Sequence, residues 1–300
     1  MTEKPYRELV SSEDREAWLA ARTAGIGASE AAAVLDLNPW DSPFALYARK
    51  RGEAPAIEDN ENMKWGRRLE GTVASAFAEE TGRTVWGGGV LLQSIEYPWL
   101  LATPDREQRD PSWDDDGLLE VKTTGLFDEW REDVPVYYQV QLQQQLLVKG
   151  KKKGSIACLI GGQRFVWADF DRHDGMCELL IEKGRVFWDR VQNGDPPDID
   201  PSKATIEALR KMAETSNVVE LPGVVAEWHH QRQALAAAEK EARASKEELD
   251  RLIAAAIGTA STGIMPDGVG AYIYKTRSRR EHTVAAASWR ELRFSAKGLK

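Results

Sequence analysis

The order of apolar and polar positions divides the chain into helices and strands that alternate as far as residue 193. Helical spacing predicts helices over residues 12–22, capped by Ser11 or Ser12, and 42–51, capped by Ser42 with Pro43 in the first turn. Helices are also predicted over residues 62–81, with Leu69, Val73 and Phe77 as the stripe and Gly82 as the stop, and from Pro135 to Lys149, with Tyr138, Leu142 and Leu146 as the packing face. A further one spans residues 174–192. A short helix is expected to begin near Glu30, with Ser29 as its cap. Strand-like runs occupy residues 84–93, 99–103 and 118–122, and a hairpin over 155–160 and 164–170 turns at Gly161-Gly162. Interleaving of this kind predicts an α/β core. The break Asn193-Gly194-Asp195-Pro196-Pro197 predicts its end, giving a domain over residues 1–197 and a C-terminal region over 198–300.

The second region has a different texture. A helix over residues 202–214 precedes a long one over 224–257, where Trp228, Leu235, Ala242, Leu249 and Ala256 recur every seven residues. This is a thin, alanine-rich heptad seam, expected to pack on the 202–214 helix or on a partner chain. Residues 268–294 predict a β-ribbon, so the region is a long-helix plus β-ribbon appendage. From Thr259 onward there are eight Lys/Arg against three Asp/Glu. That basic end is either a DNA contact or solubilising charge.

Composition narrows the class. Three hundred residues with a net charge of −8 exclude a uniformly basic nucleic-acid coat, so any nucleic acid is held by local features. No apolar run approaches the roughly 20 residues of a membrane span, and the amino-terminal segment has no apolar signal core. A cytoplasmic protein with no membrane partner is expected. The two cysteines, Cys158 and Cys177, rule out a cysteine-rich zinc site or a four-cysteine cluster.

Candidate chemistry concentrates between Leu101 and Lys122. Glu120 and Lys122 share one face of a strand because its side chains alternate. Hairpin-like pairing would bring Asp105 to that face. Two carboxylates and an ammonium there form the D…E-x-K pattern, whose hard oxygen donors suit Mg²⁺ or Mn²⁺, with the lysine beside a water. Charged residues on a solvated edge strand give the same string. Glu70 is either a third acid pointing at the site or a surface glutamate paired with Arg67 or Lys64. Arg22 and Ser29 are either an anion site or a surface arginine and a capped helix. Gln139 is either a neutral donor to the site or helix filler. Lys149–Lys153 is a basic cluster at a turn. No histidine lies in a motif.

Taken in order, Arg22 with Gly-Ile-Gly-Ala-Ser-Glu, then Trp-Gly-Arg-Arg-Leu-Glu, Thr-Pro-Asp, Leu-Glu-Val-Lys and Tyr-Tyr-Gln-Val-Gln resemble the lambda-exonuclease or YqaJ-type viral recombinase family, a phage branch of the PD-(D/E)xK nucleases. The resemblance spans roughly residues 15–195. It implies a restriction-endonuclease-like core, a central mixed sheet flanked by helices. It also implies a Mg²⁺-dependent 5′→3′ exonuclease acting on double-stranded DNA ends, with Mn²⁺ able to substitute and two ions per active site. The product, a 3′ overhang, serves recombination through a phage single-strand annealing protein in the bacterial host cytoplasm. A homo-oligomer, a ring-shaped trimer, is implied as well.

Carried over by motif, Asp105, Glu120 and the Val121 carbonyl hold metal, Lys122 activates or orients water, and Glu70 supports metal or water. Gln139 lines the site. Arg22, Ser29 and Thr103 receive the 5′ phosphate, Thr103 standing where some members have serine. Glu30 stands where many members have aspartate. Two other readings use the same residues: a PD-(D/E)xK endonuclease or RecB/Cas4-like nuclease, and a non-catalytic DNA-binding scaffold. The lack of a cysteine cluster argues against the Cas4 type, and the intact Asp105, Glu120 and Lys122 against a decayed site.

Overall fold

The computed structural model describes residues 4–130, 133–212, 218–266 and 270–274. Its chain divides into two compact units, the first running to Glu214 and the second beginning at Thr215. In order, the first unit contains β1 (Tyr6–Ser11), α1 (Arg15–Arg22), β2 (Ile26–Gly27), α2 (Ala31–Val34), α3 (Pro43–Lys50), α4 (Glu61–Thr81), β3 (Thr84–Trp86), β4 (Val90–Ser94), β5 (Leu100–Ala102), β6 (Arg106–Arg109), β7 (Gly117–Thr124), α5 (Val136–Lys149), β8 (Lys153–Ile160), β9 (Arg164–Asp171), α6 (Asp174–Asn193) and α7 (Lys203–Lys211).

The expected mixed sheet flanked by helices is present, and it has five strands in the order β3-β6-β7-β8-β9. β7 and β8 run parallel across the α5 crossover, while the other pairs are antiparallel. The burial pattern of β7 follows from its central place. Leu119 and Val121 pack with Val73, Ala74 and Phe77 of α4 on one face. Leu118 packs with Leu142 and Leu146 of α5 on the other. Glu120 and Lys122 continue the Leu118 face, so the strand turns charged side chains toward α5.

A second sheet, β1-β4-β5-β2, covers another part of the core. Two of its features differ from the sequence expectation. The run 84–93 is two strands in two sheets, because Gly87, Gly88 and Gly89 all have positive φ (58°, 95° and 71°) and turn the chain between them. Tyr6–Ser11, polar at half its positions, is a strand on the sheet edge beside β4. Likewise β6 lies between the runs 99–103 and 118–122, where the pattern predicts no strand.

The helical expectations hold closely, with changes at the caps. Asp14, not a serine, caps α1, accepting from the Ala17 N–H at 3.1 Å. Ser42 caps α3 and Asn60 caps α4. The turn at Ala28–Glu30 has Gly27 at its cap position, so Ser29 is not a cap. The helix expected near 202–214 is α7 (Lys203–Lys211). It packs on α3, where the Ser42 and Thr205 hydroxyls lie 2.7 Å apart in buried surroundings. The first compact unit therefore runs past the proline break at 196–197.

The second unit holds α8 (Val224–Ile257) and a two-stranded antiparallel pair, β10 (Thr262–Ile264) and β11 (Ala271–Ile273). Most of the ribbon expected over 268–294 lies outside the described residues. Among the described residues, no helix is long and apolar enough to cross a membrane.

Candidate active site

β6 and β7 pair antiparallel with Arg106 opposite Leu119. That register sets Asp105, just before β6, beside Val121. The Asp105 carboxylate accepts from the Val121 N–H at 2.8 Å. Lys122 Nζ lies 2.5 Å from Glu120 Oε1. The three D…E-x-K side chains are thus brought to one place.

Burial makes this grouping costly without further partners. Glu120 is 1% exposed. Its Oε1 accepts from Gln141 Nε2 at 2.5 Å and its Oε2 from Gln145 Nε2 at 2.6 Å. Lys122 donates to Gln141 Oε1 at 3.1 Å and stands 4.8 Å from the centre of the Tyr138 ring. Positions 138, 141 and 145 share one stripe of α5, at spacings of three and four. Gln139 lies off that stripe and donates instead to the Val134 carbonyl at 2.6 Å. The expectation for Gln139 is therefore corrected: Gln141 and Gln145 take the place assigned to it. The α5 glutamines are not filler either, since Gln144 donates to the carbonyls of Ile26 and Leu101, joining β2 to β5.

Electrostatics mark the same spot. Desolvation, followed by the nearby Glu120 charge, pushes the Asp105 carboxyl well above the usual carboxylate range. Burial disfavours the Lys122 ammonium, but Glu120 and Asp105 outweigh it and hold Lys122 above its ordinary value. Lys122 in this arrangement is a charged donor.

Glu70 reaches the same cavity from α4. Neither expected partner holds it: Arg67 pairs with Asp59 and Lys64 with Glu61. Its partner is Arg106 Nη1 at 2.5 Å.

Arg22 and Ser29 meet directly, Arg22 Nη2 donating to Ser29 Oγ at 3.0 Å. Trp18 organises this corner. Its ring lies 4.5 Å from the Arg22 guanidinium and 4.7 Å from that of Arg15, and its indole N–H donates to Thr103 Oγ1 at 3.1 Å. Beneath them Glu30 accepts from the Gly27 N–H at 2.7 Å and pairs with Arg22 at 3.2 Å and Lys50 at 2.7 Å. Trp18, Lys50, Gln141 and Gln145 were not singled out from sequence. The turn expected to be basic is largely neutralised, with Lys149, Lys151 and Lys153 paired to Glu107, Asp115 and Asp171.

One cavity of about 450 Å³ joins these groups. Arg22, Ser29, Glu70, Thr103, Asp105, Glu120, Val121 and Lys122 all line it, as do Arg15, Trp18, Gln141 and Gln145. Gln139 does not. Among the described residues, no three His, Cys, Asp or Glu side chains form a closed metal cage. An open site needs fewer, because Mg²⁺ keeps several waters and takes one or two carboxylates plus substrate phosphate. Asp105 and Glu120 meet that requirement with hard oxygen donors. The raised Asp105 is the group a cation would relieve, and Gln145 Oε1 is a buried acceptor without a partner at the cavity wall.

Comparison with known proteins agrees with the fold and with the family resemblance. The profile of the YqaJ-like viral recombinase domain matches residues 17–152. The uncharacterized protein YqaJ of Bacillus subtilis (strain 168) is 37% identical over 227 residues, covering 72% of this chain and 70% of that protein. The crystal structure of an alkaline exonuclease, LHK-Exo, from Laribacter hongkongensis superimposes with a TM-score of 0.50 at 21% identity, covering 60% of this chain and 94% of that one. LHK-Exo in complex with dAMP gives a TM-score of 0.50 at 20% identity over the same shares. At that identity the likeness is one of fold; the closer sequence relative, together with the five motifs, places this chain in the YqaJ-like viral recombinase family.

Proposed function

We propose that this protein is a metal-dependent exonuclease that degrades one strand of duplex DNA from its 5′ end, leaving a 3′ single strand for recombination by annealing. The observation that carries the reading is the shared cavity. The Asp105–Glu120–Lys122 group and the Arg22–Ser29 pair line one space, so a strand end and a scissile phosphate can be held together.

Hydrolysis of a phosphodiester needs an in-line water and charge on the leaving oxygen. Bound Mg²⁺, or Mn²⁺ in its place, supplies Lewis-acid charge and a water of lowered pKa, most effectively as a pair of ions. Asp105, Glu120 and the Val121 carbonyl are the proposed donors, and Glu70, paired here with Arg106, would support the metal or its water. Lys122 orients the attacking water by hydrogen bonding. Gln141 and Gln145 hold the Glu120 carboxylate in place. Arg22, with Ser29 and Thr103, receives the 5′ phosphate through charge-assisted bonds.

The same reading includes a homo-oligomeric ring, an annealing protein as partner, and action in the bacterial cytoplasm. The unit beginning at Thr215 is proposed to serve contacts instead of chemistry, because every candidate site residue precedes it. End-labelled linear duplex tests the core of the reading. It should be digested with Mg²⁺ and remain intact with a chelator, while closed circular duplex survives both. Cutting of the closed circle at a comparable rate would instead make the protein an endonuclease.

A further inference from the structure

Helix α8 extends over 34 residues with none buried. At 1.5 Å per residue it is about 50 Å long. The large apolar side chains along one stripe of it face solvent, with Trp228 59%, Leu235 72%, Leu249 59% and Leu252 61% exposed, while Ile253 and Ile257 are half-buried and share a pocket with Tyr272 and Ile273 of β11. Such a helix is stabilised by a partner surface rather than by propensity alone.

The heptad pattern says which surface fits. With Trp228, Leu235, Ala242, Leu249 and Ala256 at position a, position d holds Gln231, Ala238, Ser245 and Leu252, all uncharged. Moving the first set to d would put Arg232, Glu239 and Lys246 into the seam, which the burial of unpaired charge opposes. With the seam so fixed, the flanking g positions are Glu227, Ala234, Glu241 and Glu248, and the e positions are Arg232, Glu239, Lys246 and Ile253.

In a parallel pair in register, each g residue faces the e residue five places on in the other helix. Glu227 then meets Arg232 of the second copy, and Glu241 meets Lys246 of the second copy. The remaining facing pairs, Ala234 with Glu239 and Glu248 with Ile253, carry no like charges. An antiparallel pair would face g with g, and g on this helix holds only glutamate and alanine. We propose that α8 is a self-association helix whose occupant is α8 of a second copy of this chain, parallel and in register.

The test is disulfide cross-linking of the full chain carrying Ala242→Cys, in the seam, against Lys240→Cys on the outer face. Both native cysteines are buried. Ala242→Cys should form a covalent dimer roughly tenfold faster or more, since paired thiols meet at effective concentrations near millimolar. Adding Glu241→Lys should slow it several-fold, and adding Lys246→Glu to that should restore it. Circular dichroism checks that each variant remains helical. Equal cross-linking of the two cysteine variants would overturn the proposal, as it would if another surface covers α8. Indifference to Glu241→Lys would overturn the parallel register.

Discussion

The carboxylate of Asp105 accepts a hydrogen bond from the backbone N–H of Val121 at 2.8 Å. Val121 is the residue between Glu120 and Lys122, and its side chain faces the α4 side of the sheet while theirs face α5. A single bond to the backbone thus fixes the aspartate against both charged groups without competing for either. The antiparallel register of β6 on β7 makes the bond, so the site is a property of the sheet and not of a flexible loop.

Asp105→Asn should reduce Mg²⁺-dependent digestion by more than about a hundredfold, beyond the usual cost of losing an outer-shell partner. Asparagine carries no charge for Glu120 to repel, so the metal-free protein should melt no lower than wild type. Digestion assays and thermal melts in chelator check the two halves. Activity near wild type would remove Asp105 from the chemistry.

Gln145→Leu should lower activity about tenfold to a hundredfold by leaving Glu120 Oε2 without its donor. Gln139→Ala should leave the rate nearly unchanged, since among the described residues that amide donates to the Val134 carbonyl and does not line the cavity. Steady-state digestion by the two variants side by side measures this contrast.

That contrast also shows how far the sequence could be read. Asp105, Glu120 and Lys122 were legible because strand alternation places 120 and 122 together and the turn-rich segment before them returns the chain. The choice among five glutamines was not, because it depends on the rotation of α5 about its axis, which packing against β7 and β8 sets. The strand at Tyr6–Ser11 was illegible for a related reason. It lies on an edge with little burial and shows almost no apolar alternation. The residues 84–93 read as one strand because the glycine run carries no side chains to reveal a turn. Lys50 and Trp18 serve the site from helices whose sequences look ordinary; only their meeting at Glu30, Arg22 and Thr103 singles them out.

Gly88→Ala should perturb the site from outside it. A Cβ there would stand 1.7 Å from the Asp105 carbonyl oxygen, and the backbone has φ of 95°. Strain and overlap together should cost about 3 kcal/mol. Urea denaturation measures that loss. Activity should fall further than stability accounts for, because the chain moves where it carries Asp105.

Glu30→Gln tests the support beneath Arg22. Burial opposes the Glu30 carboxylate, but Arg22 and Lys50 overcome it and lower its pKa below the ordinary value. A carboxylate lowered on folding stabilises the protein above its unfolded pKa of about 4.3, and that contribution is lost as pH falls through the folded value. The variant should be about 3 kcal/mol less stable at pH 7, where Lys50 is left without its carboxylate. The gap should close as pH drops below about 4. Urea melts at several pH values measure it, and a gap independent of pH would contradict this role.

Arg22→Ala should lose roughly tenfold to a hundredfold of activity on 5′-phosphorylated ends, the worth of one charge-assisted bond. Ends with a 5′-hydroxyl should be cut at nearly the wild-type rate. Equal loss on both would make Arg22 a general structural or DNA-binding residue.

The most direct test of the shared cavity follows the two strands of one linear duplex, each labelled separately, through time with and without Mg²⁺. With a 5′ phosphate, the strand carrying it should shorten from that end while its complement survives as a 3′ single strand, and chelator should stop the reaction. Degradation of both strands together, removal from 3′ ends, or digestion that persists in chelator would contradict the account.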